Sequence, residues 1–189
     1  VLQDNGYKTA FIGKWGLGGP KTESTPNKKG FDYFFGYNCQ RQAHTLFPRH
    51  LWENENKVFL NNKSVPPHAN LSDDADASDP QSYSDFSLND YAPSLMHEKA
   101  INFIKSNKDN SFFLLYASPL PHMPLQAPEK WVNYYKEKLD PEQPYTGKSY
   151  FPNQYPRATY AAMISTLDEQ VGDLASVLVE TSIWENTLI

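Results

Sequence analysis

The segment SFFLLYASP at residues 111–119, running without a spacer into PLPHMPLQAP, restricts the fold more than any other stretch. A continuous apolar run closed by polar residues is the mark of a strand buried on both faces, and such strands occur where helices cover a parallel sheet. Pro119, Pro121, Pro124 and Pro128 then exclude a helix and predict an extended, stiff loop that carries His122. A second apolar run, KTAFIGKW at 8–15, is closed by glycines and reads as another buried strand, with Lys14 at its exit.

Helical spacing appears twice. Ala92, Met96, Ala100, Phe103 and Ile104 recur at three- and four-residue steps, which predicts a helix with Asp90 as N-cap, Pro93 in its first turn and an end near Ser106. Tyr160, Ile164, Leu167, Val171, Leu174 and Leu178 form the strongest periodic signal in the chain and predict a long helix with those residues facing the core. Asp168, Glu169 and Asp173 then lie on its solvated face. Residues 30–60 read as short strands and turns, 61–85 as a polar, acidic surface loop, and the stretch up to about Pro156 as an aromatic and proline-rich excursion. The final NTLI reads as the opening of another strand. This order predicts an α/β protein with a mostly parallel sheet, in which ligands sit beyond the carboxyl ends of the strands. Lys14 and His122 both follow a predicted strand and are therefore expected at one sheet edge.

Charge and composition narrow the function. A net charge of −5 argues against general nucleic-acid binding, which needs a basic face, and no apolar stretch is long enough to span a bilayer. The one cysteine, Cys39, excludes an internal disulfide and a multi-cysteine metal site. GKWGLGGP at 13–20 invites a phosphate-loop reading, but Lys8 stands where the first glycine belongs and Trp15 where the magnesium-binding hydroxyl belongs. GLGGPK does not complete a dinucleotide fingerprint, and neither H-E-x-x-H nor G-x-S-x-G occurs.

GYKTAFIGKWGLG, GFDYFFGY, FFLLYASPLPHMPLQAP and YAAMISTLDEQVGDL, in that order, resemble the type I sulfatases of the arylsulfatase and alkaline phosphatase-like superfamily. The likeness runs from about Gly6 to the last residue. It implies an alkaline phosphatase-like α/β fold, incomplete in this chain, with a mostly parallel sheet flanked by helices. It also implies hydrolysis of sulfate monoesters of a sulfated carbohydrate or aryl compound, and a secreted or periplasmic protein. By resemblance Lys14 reaches the sulfate and His122 contacts the sulfate or the leaving oxygen. Taken alone, a lysine after a strand is most often a surface cation and a histidine between prolines a turn residue.

The chain departs from the family pattern in places. Gly16 stands where many sulfatases carry histidine, so His44 or His50, in CQRQAHTLFPRHLW, is expected to enter the pocket with Arg41, and Gln42 is a further substrate-binding candidate. Tyr37, Phe47 and Trp52 are either core rings or platforms for a sugar face. The family's C/S-x-P-S/A-R motif, source of formylglycine, does not occur, because Cys39 lies in NCQRQ. The metal-binding aspartates and the S-D-N-G segment have no counterpart either, and Asp73-Asp74 lies in the acidic loop. Calcium and formylglycine are thus implied for the parent enzyme, with no metal ligand assigned here. Residues 1–189 read as the central part of a sulfatase domain, inactive by itself. A non-catalytic binding module on the same fold, or a phosphoesterase of the same superfamily, is the alternative. A sheet with open edges should also self-associate when isolated, and a monodisperse monomer in light scattering would count against that.

Overall fold

In the computed structural model, which describes residues 1–66 and 68–189, five strands form one sheet. Pro67, in the predicted surface loop, lies outside the described residues. The strands are β1 (Lys8–Lys14), β2 (Tyr33–Tyr37), β3 (His50–Glu53), β4 (Asn56–Phe59) and β5 (Phe112–Ala117), in the order β4-β3-β2-β1-β5. Strands β2, β1 and β5 run parallel, while β3 and β4 form an antiparallel hairpin at one edge. The sheet is therefore mixed, with its parallel part at β2, β1 and β5.

Both faces of β1 are covered. On one side Ile12, Phe35 and Tyr37 pack against Ala92, Met96 and Ala100 of α1 (Ala92–Asn107). On the other, Phe11, Trp15 and Phe34 form an aromatic cluster closed by Phe31, with the Phe11 and Trp15 rings edge to face at 5.0 Å. Two-sided burial is why β1 reads as an unbroken apolar run.

α1 starts one residue later than its predicted cap implies. Tyr91 occupies the N-cap position without a side-chain bond, because the Asp90 carboxylate instead accepts from the backbone N–H of Asn61 at 2.6 Å. The long helix α3 (Pro156–Glu180) has the predicted period but a partly rotated face. Ala158, Thr159, Ala162, Met163, Thr166, Gln170, Val177 and Leu178 are buried, whereas Ile164 is 46% and Val171 54% exposed. Small residues let the first half of α3 approach the body closely, while Leu167, Leu174 and Leu178 of the predicted face do meet the core. Asp173 faces His97 of α1 at 3.1 Å, so this carboxylate is exposed yet partnered.

The excursion before α3 contains a helix that the sequence reading missed, α2 (Glu129–Lys138). None of its residues is buried, and it is held to α3 from one side: Trp131 Nε1–H donates to Glu169 at 3.0 Å, and Tyr135 and Ser165 share a hydroxyl bond of 2.7 Å. Ten residues between prolines, with rings on several sides, give too weak a period to recognise. The predicted strand at NTLI is not formed. Residues 184–186 make a 3₁₀ turn, and Leu188 and Ile189 are exposed with no neighbouring strand among the described residues to pair with.

Some large apolar side chains are left outside. Phe113 and Leu115 on edge strand β5, with Tyr160, Ile164, Val171 and Val179 on α3, are all exposed. The isolated chain is expected to self-associate through these surfaces. In multi-angle light scattering, Ile164→Lys with Val171→Lys should shift it toward monomer.

Candidate active site

Parallel strands deliver their carboxyl ends to one edge, and here three do so side by side. Gly13 of β1 pairs with Ala117 of β5 and with Gly36 of β2, and Lys14 pairs with Tyr37. Lys14 ends β1 half-buried. The next residue fixes it: Trp15 donates its backbone N–H to the Tyr37 carbonyl at 2.9 Å and its indole N–H to the Ser24 carbonyl at 2.8 Å, within the aromatic cluster. With Trp15 bound to that cluster, strand alternation turns Lys14 the other way.

The segment after β5 is more folded than the predicted extended loop. The His122 N–H donates to the Pro119 carbonyl at 3.0 Å and closes a turn, between cis peptides at Leu120-Pro121 and Met123-Pro124. His122 Nδ1 lies 2.7 Å from the Met123 carbonyl oxygen. A carbonyl only accepts, so Nδ1 carries the proton and Nε2 remains for another partner.

After β2 the chain makes a 3₁₀ turn, Gln40–His44, at the same edge. This turn carries three of the predicted residues. Gln42 donates to the His50 carbonyl at 2.6 Å and so braces the start of β3. His44 is partly buried, and its Nδ1 has no partner among the described residues. Burial first, then the positive charges of His68, His122, Arg41 and Lys14, holds the His44 imidazole below the usual histidine range. Protonating His44 would add a cation to a cationic pocket, and an arriving anion removes that penalty.

Two members of this cluster were not foreseen. The His44 ring lies 5.5 Å from His68 and 5.5 Å from Tyr150, and Tyr150 also meets His68 at 5.7 Å and His122 at 6.4 Å. His68 and Tyr150 sit on separate excursions that brace each other: Leu71 N–H to the Thr146 carbonyl at 2.9 Å, and Gln154 to the Ser78 carbonyl at 2.7 Å. Asn153 ties the second excursion to the His122 segment through the Leu125 carbonyl at 2.9 Å. Buried Gln126 joins that segment to the rest, accepting from Leu46 N–H at 2.8 Å and donating to the Phe86 carbonyl at 2.6 Å. A signal for His68 was present, since V-P-P-H repeats the proline-flanked histidine of P-L-P-H.

His50 stands apart from the Lys14 cluster but lines one cleft with Arg41, Gln42 and His44. Its ring packs against Trp52 at 5.8 Å and Phe59 at 6.1 Å, and burial, then Lys57 and Arg49, lower its pKa. Tyr37 and Phe47 are core rings and offer no sugar platform: Tyr37 is fully buried with its hydroxyl on the Thr45 carbonyl, and Phe47 packs on Tyr91.

A sequence model of the sulfatase family matches residues 1–189. The chain belongs to the sulfatase family. It is similar to mouse arylsulfatase J, 24% identical over 200 residues, an alignment covering all of this chain but 27% of the mouse protein. Among solved structures it resembles Ps i-CgsB in complex with k-i-k-neocarrahexaose, with a TM-score of 0.64 at 24% identity, covering 96% of this chain and 36% of that one. It also resembles BT4656 in complex with its substrate D-glucosamine-2-N,6-O-disulfate, with a TM-score of 0.63 at 16% identity, covering 98% and 47%. At these identities the structural likeness carries the fold, which is the alkaline phosphatase-like α/β fold of sulfatases. The sulfatase chain thus spans less than half the length of these relatives.

The residues of this sulfatase segment do not suit a calcium ion. Calcium takes hard oxygen ligands, whereas the cluster presents ammonium, guanidinium and imidazole groups. No group of three or more His, Cys, Asp or Glu among the described residues is arranged to hold a metal, and Asp73 and Asp74 are exposed in their loop. Cys39 is exposed, outside any formylglycine motif. A Cβ at Gly16 would find ordinary contact with Gln40 at 3.7 Å, so crowding at the first side-chain carbon does not require glycine there.

Proposed function

We propose that this chain is the anion-holding part of a sulfatase that hydrolyses sulfate monoesters of a sulfated carbohydrate or aryl compound. One observation carries the proposal: the rings of His44, His68 and His122 gather around Tyr150 at the edge where the parallel strands end and Lys14 closes β1, in a chain matched throughout by the sulfatase family.

In this reading Lys14 neutralises the non-bridging sulfuryl oxygens, where negative charge persists through the transition state. His122, held as the Nδ1–H tautomer by the Met123 carbonyl, offers Nε2 to the ester. Once protonated there, it donates to the departing oxygen. Arg41 adds a planar donor fork, and His44 takes up a proton as the anion arrives. The formylglycine and calcium implied by the family resemblance belong, in this proposal, to parts of the protein outside these 189 residues. Export to the periplasm or the cell exterior is part of the same proposal.

The test is an assay of the full-length protein for sulfate release from 4-nitrophenyl sulfate and from glucosamine 6-O-sulfate, with 4-nitrophenyl phosphate in parallel. Sulfate release exceeding phosphate release is expected. Absence of sulfate release, or faster phosphate hydrolysis, would overturn the reading.

A further inference from the structure

Beside the Lys14 cluster, and sharing Arg41 and His44 with it, runs a second cleft of ≈ 450 Å³. Its far wall is the β3–β4 hairpin and the residues leading into it, with Arg49, His50, Lys57 and Phe59. No carboxylate lines it among the described residues, although the chain as a whole carries a charge of −5.

Lys28, Lys63, Lys99, Lys130 and Arg157 each have a carboxylate partner, while the remaining lysines and arginines have none among the described residues. Arg41, Arg49 and Lys57 take part in none of the ion pairs among the described residues. Three cations left unpaired along one cleft of an acidic chain concentrate positive potential where an anionic ligand would neutralise it. The cleft is also structured on its apolar side. Lys57 Nζ sits 5.5 Å from the centre of the Trp52 ring, His50 packs between Trp52 and Phe59, and Phe59 is 75% exposed at the mouth. Cations beside an open aromatic face suit a charged sugar, whose ring stacks while its anionic group is bound.

We propose that this cleft is a second anion subsite, in which Arg49 and Lys57, with Arg41 at the junction, bind a sulfate or uronate carboxylate on the sugar next to the one carrying the scissile ester. The proposal rests on the functional reading above for the position of the first sulfate. It makes the chain selective for oligosaccharides bearing an anionic group on adjacent rings over singly charged esters. Arg49 and Lys57 are positioned to act on affinity and remain outside the reacting centre.

Calorimetric binding to the full-length protein tests this without requiring turnover. The probes are disaccharides with a non-hydrolysable sulfamate in place of the scissile ester: one neutral on the second ring, one bearing a second sulfate there, and one bearing a uronate carboxylate there. At least one doubly charged probe is expected to bind about tenfold more tightly than the singly charged one. Arg49→Gln with Lys57→Gln should erase that advantage and leave affinity for the singly charged probe within about twofold, as exposed rim charges allow. Arg49→Lys with Lys57→Arg should retain it. An equal loss for all probes, an unchanged advantage in the double glutamine variant, or no advantage in the wild type would overturn the subsite. Failure of the hydrolysis assay alone would overturn the functional reading and leave this binding result standing.

Discussion

Lys14→Gln in the full-length protein is expected to lower kcat/KM for a sulfate monoester by about 10²- to 10³-fold, the range seen when one preorganised donor to a developing oxyanion is removed. The stability of the fold should change by less than about 0.5 kcal/mol, as for surface substitutions away from packed features. Lys14 enters the sheet through its backbone, forms no ion pair among the described residues, and leaves packing to its neighbour Trp15. Its ammonium also raises the cost of protonating His44. Glutamine keeps the length and removes the charge, so the loss should fall mainly on the transition state. A folded variant with wild-type kcat/KM would remove Lys14 from the chemistry.

Gly13→Ala should cost the fold about 3 kcal/mol or more, in the range where backbone strain is diagnostic. Gly13 has φ +131°, and a Cβ there would lie 1.9 Å from the Ala117 carbonyl oxygen and 2.4 Å from its carbon. Those are main-chain atoms of the neighbouring strand and cannot rotate aside. Gly36, opposite, is equally closed, since its Cβ would meet the Gly13 carbonyl oxygen at 1.9 Å. Gly19, six residues on in the same glycine-rich segment, has nothing within 4 Å of such a Cβ, so Gly19→Ala serves as a control expected within about 0.5 kcal/mol of wild type. Urea unfolding of the full-length protein measures both, and an unchanged midpoint for Gly13→Ala would contradict the close approach of β1 and β5.

The same contrast shows where sequence reasoning succeeds. Strand β1 and helix α1 were legible because two-sided burial and a regular apolar period leave local marks, whereas β5, expected as a strand buried on both faces, is an edge strand with Phe113 and Leu115 exposed on one face. The face of α3 was legible only at Leu167, Leu174 and Leu178; in its first half alanine and threonine form much of the buried side, and hydropathy does not distinguish a close helix contact from a polar surface. The edge holding Lys14 and His122 followed from parallel topology alone. His68 and Tyr150 reach it through amide bonds between distant excursions, as at Leu71 and Thr146, and no local pattern encodes those partners. For His44 and His50, adjacent in sequence and similar in surroundings, only the three-dimensional arrangement separates one that joins the Lys14 cluster from one that packs between Trp52 and Phe59.

The β3–β4 hairpin meets the parallel part of the sheet through a short register, Phe35 opposite Glu53 and Gly36 opposite Trp52. Lys14 and His122 are rooted instead on β1 and after β5, whose shared register runs from Lys8 and Phe112 to Gly13 and Ala117. In the proposed reading, the groups offered to the remainder of a ligand are carried by an edge hairpin and those offered to the ester by the parallel frame. Retuning toward another sugar would then fall to the exposed Arg49, Lys57 and Phe59, while Leu51, fully buried, and Glu53, bonded to Lys99 and Tyr33, keep the hairpin seated.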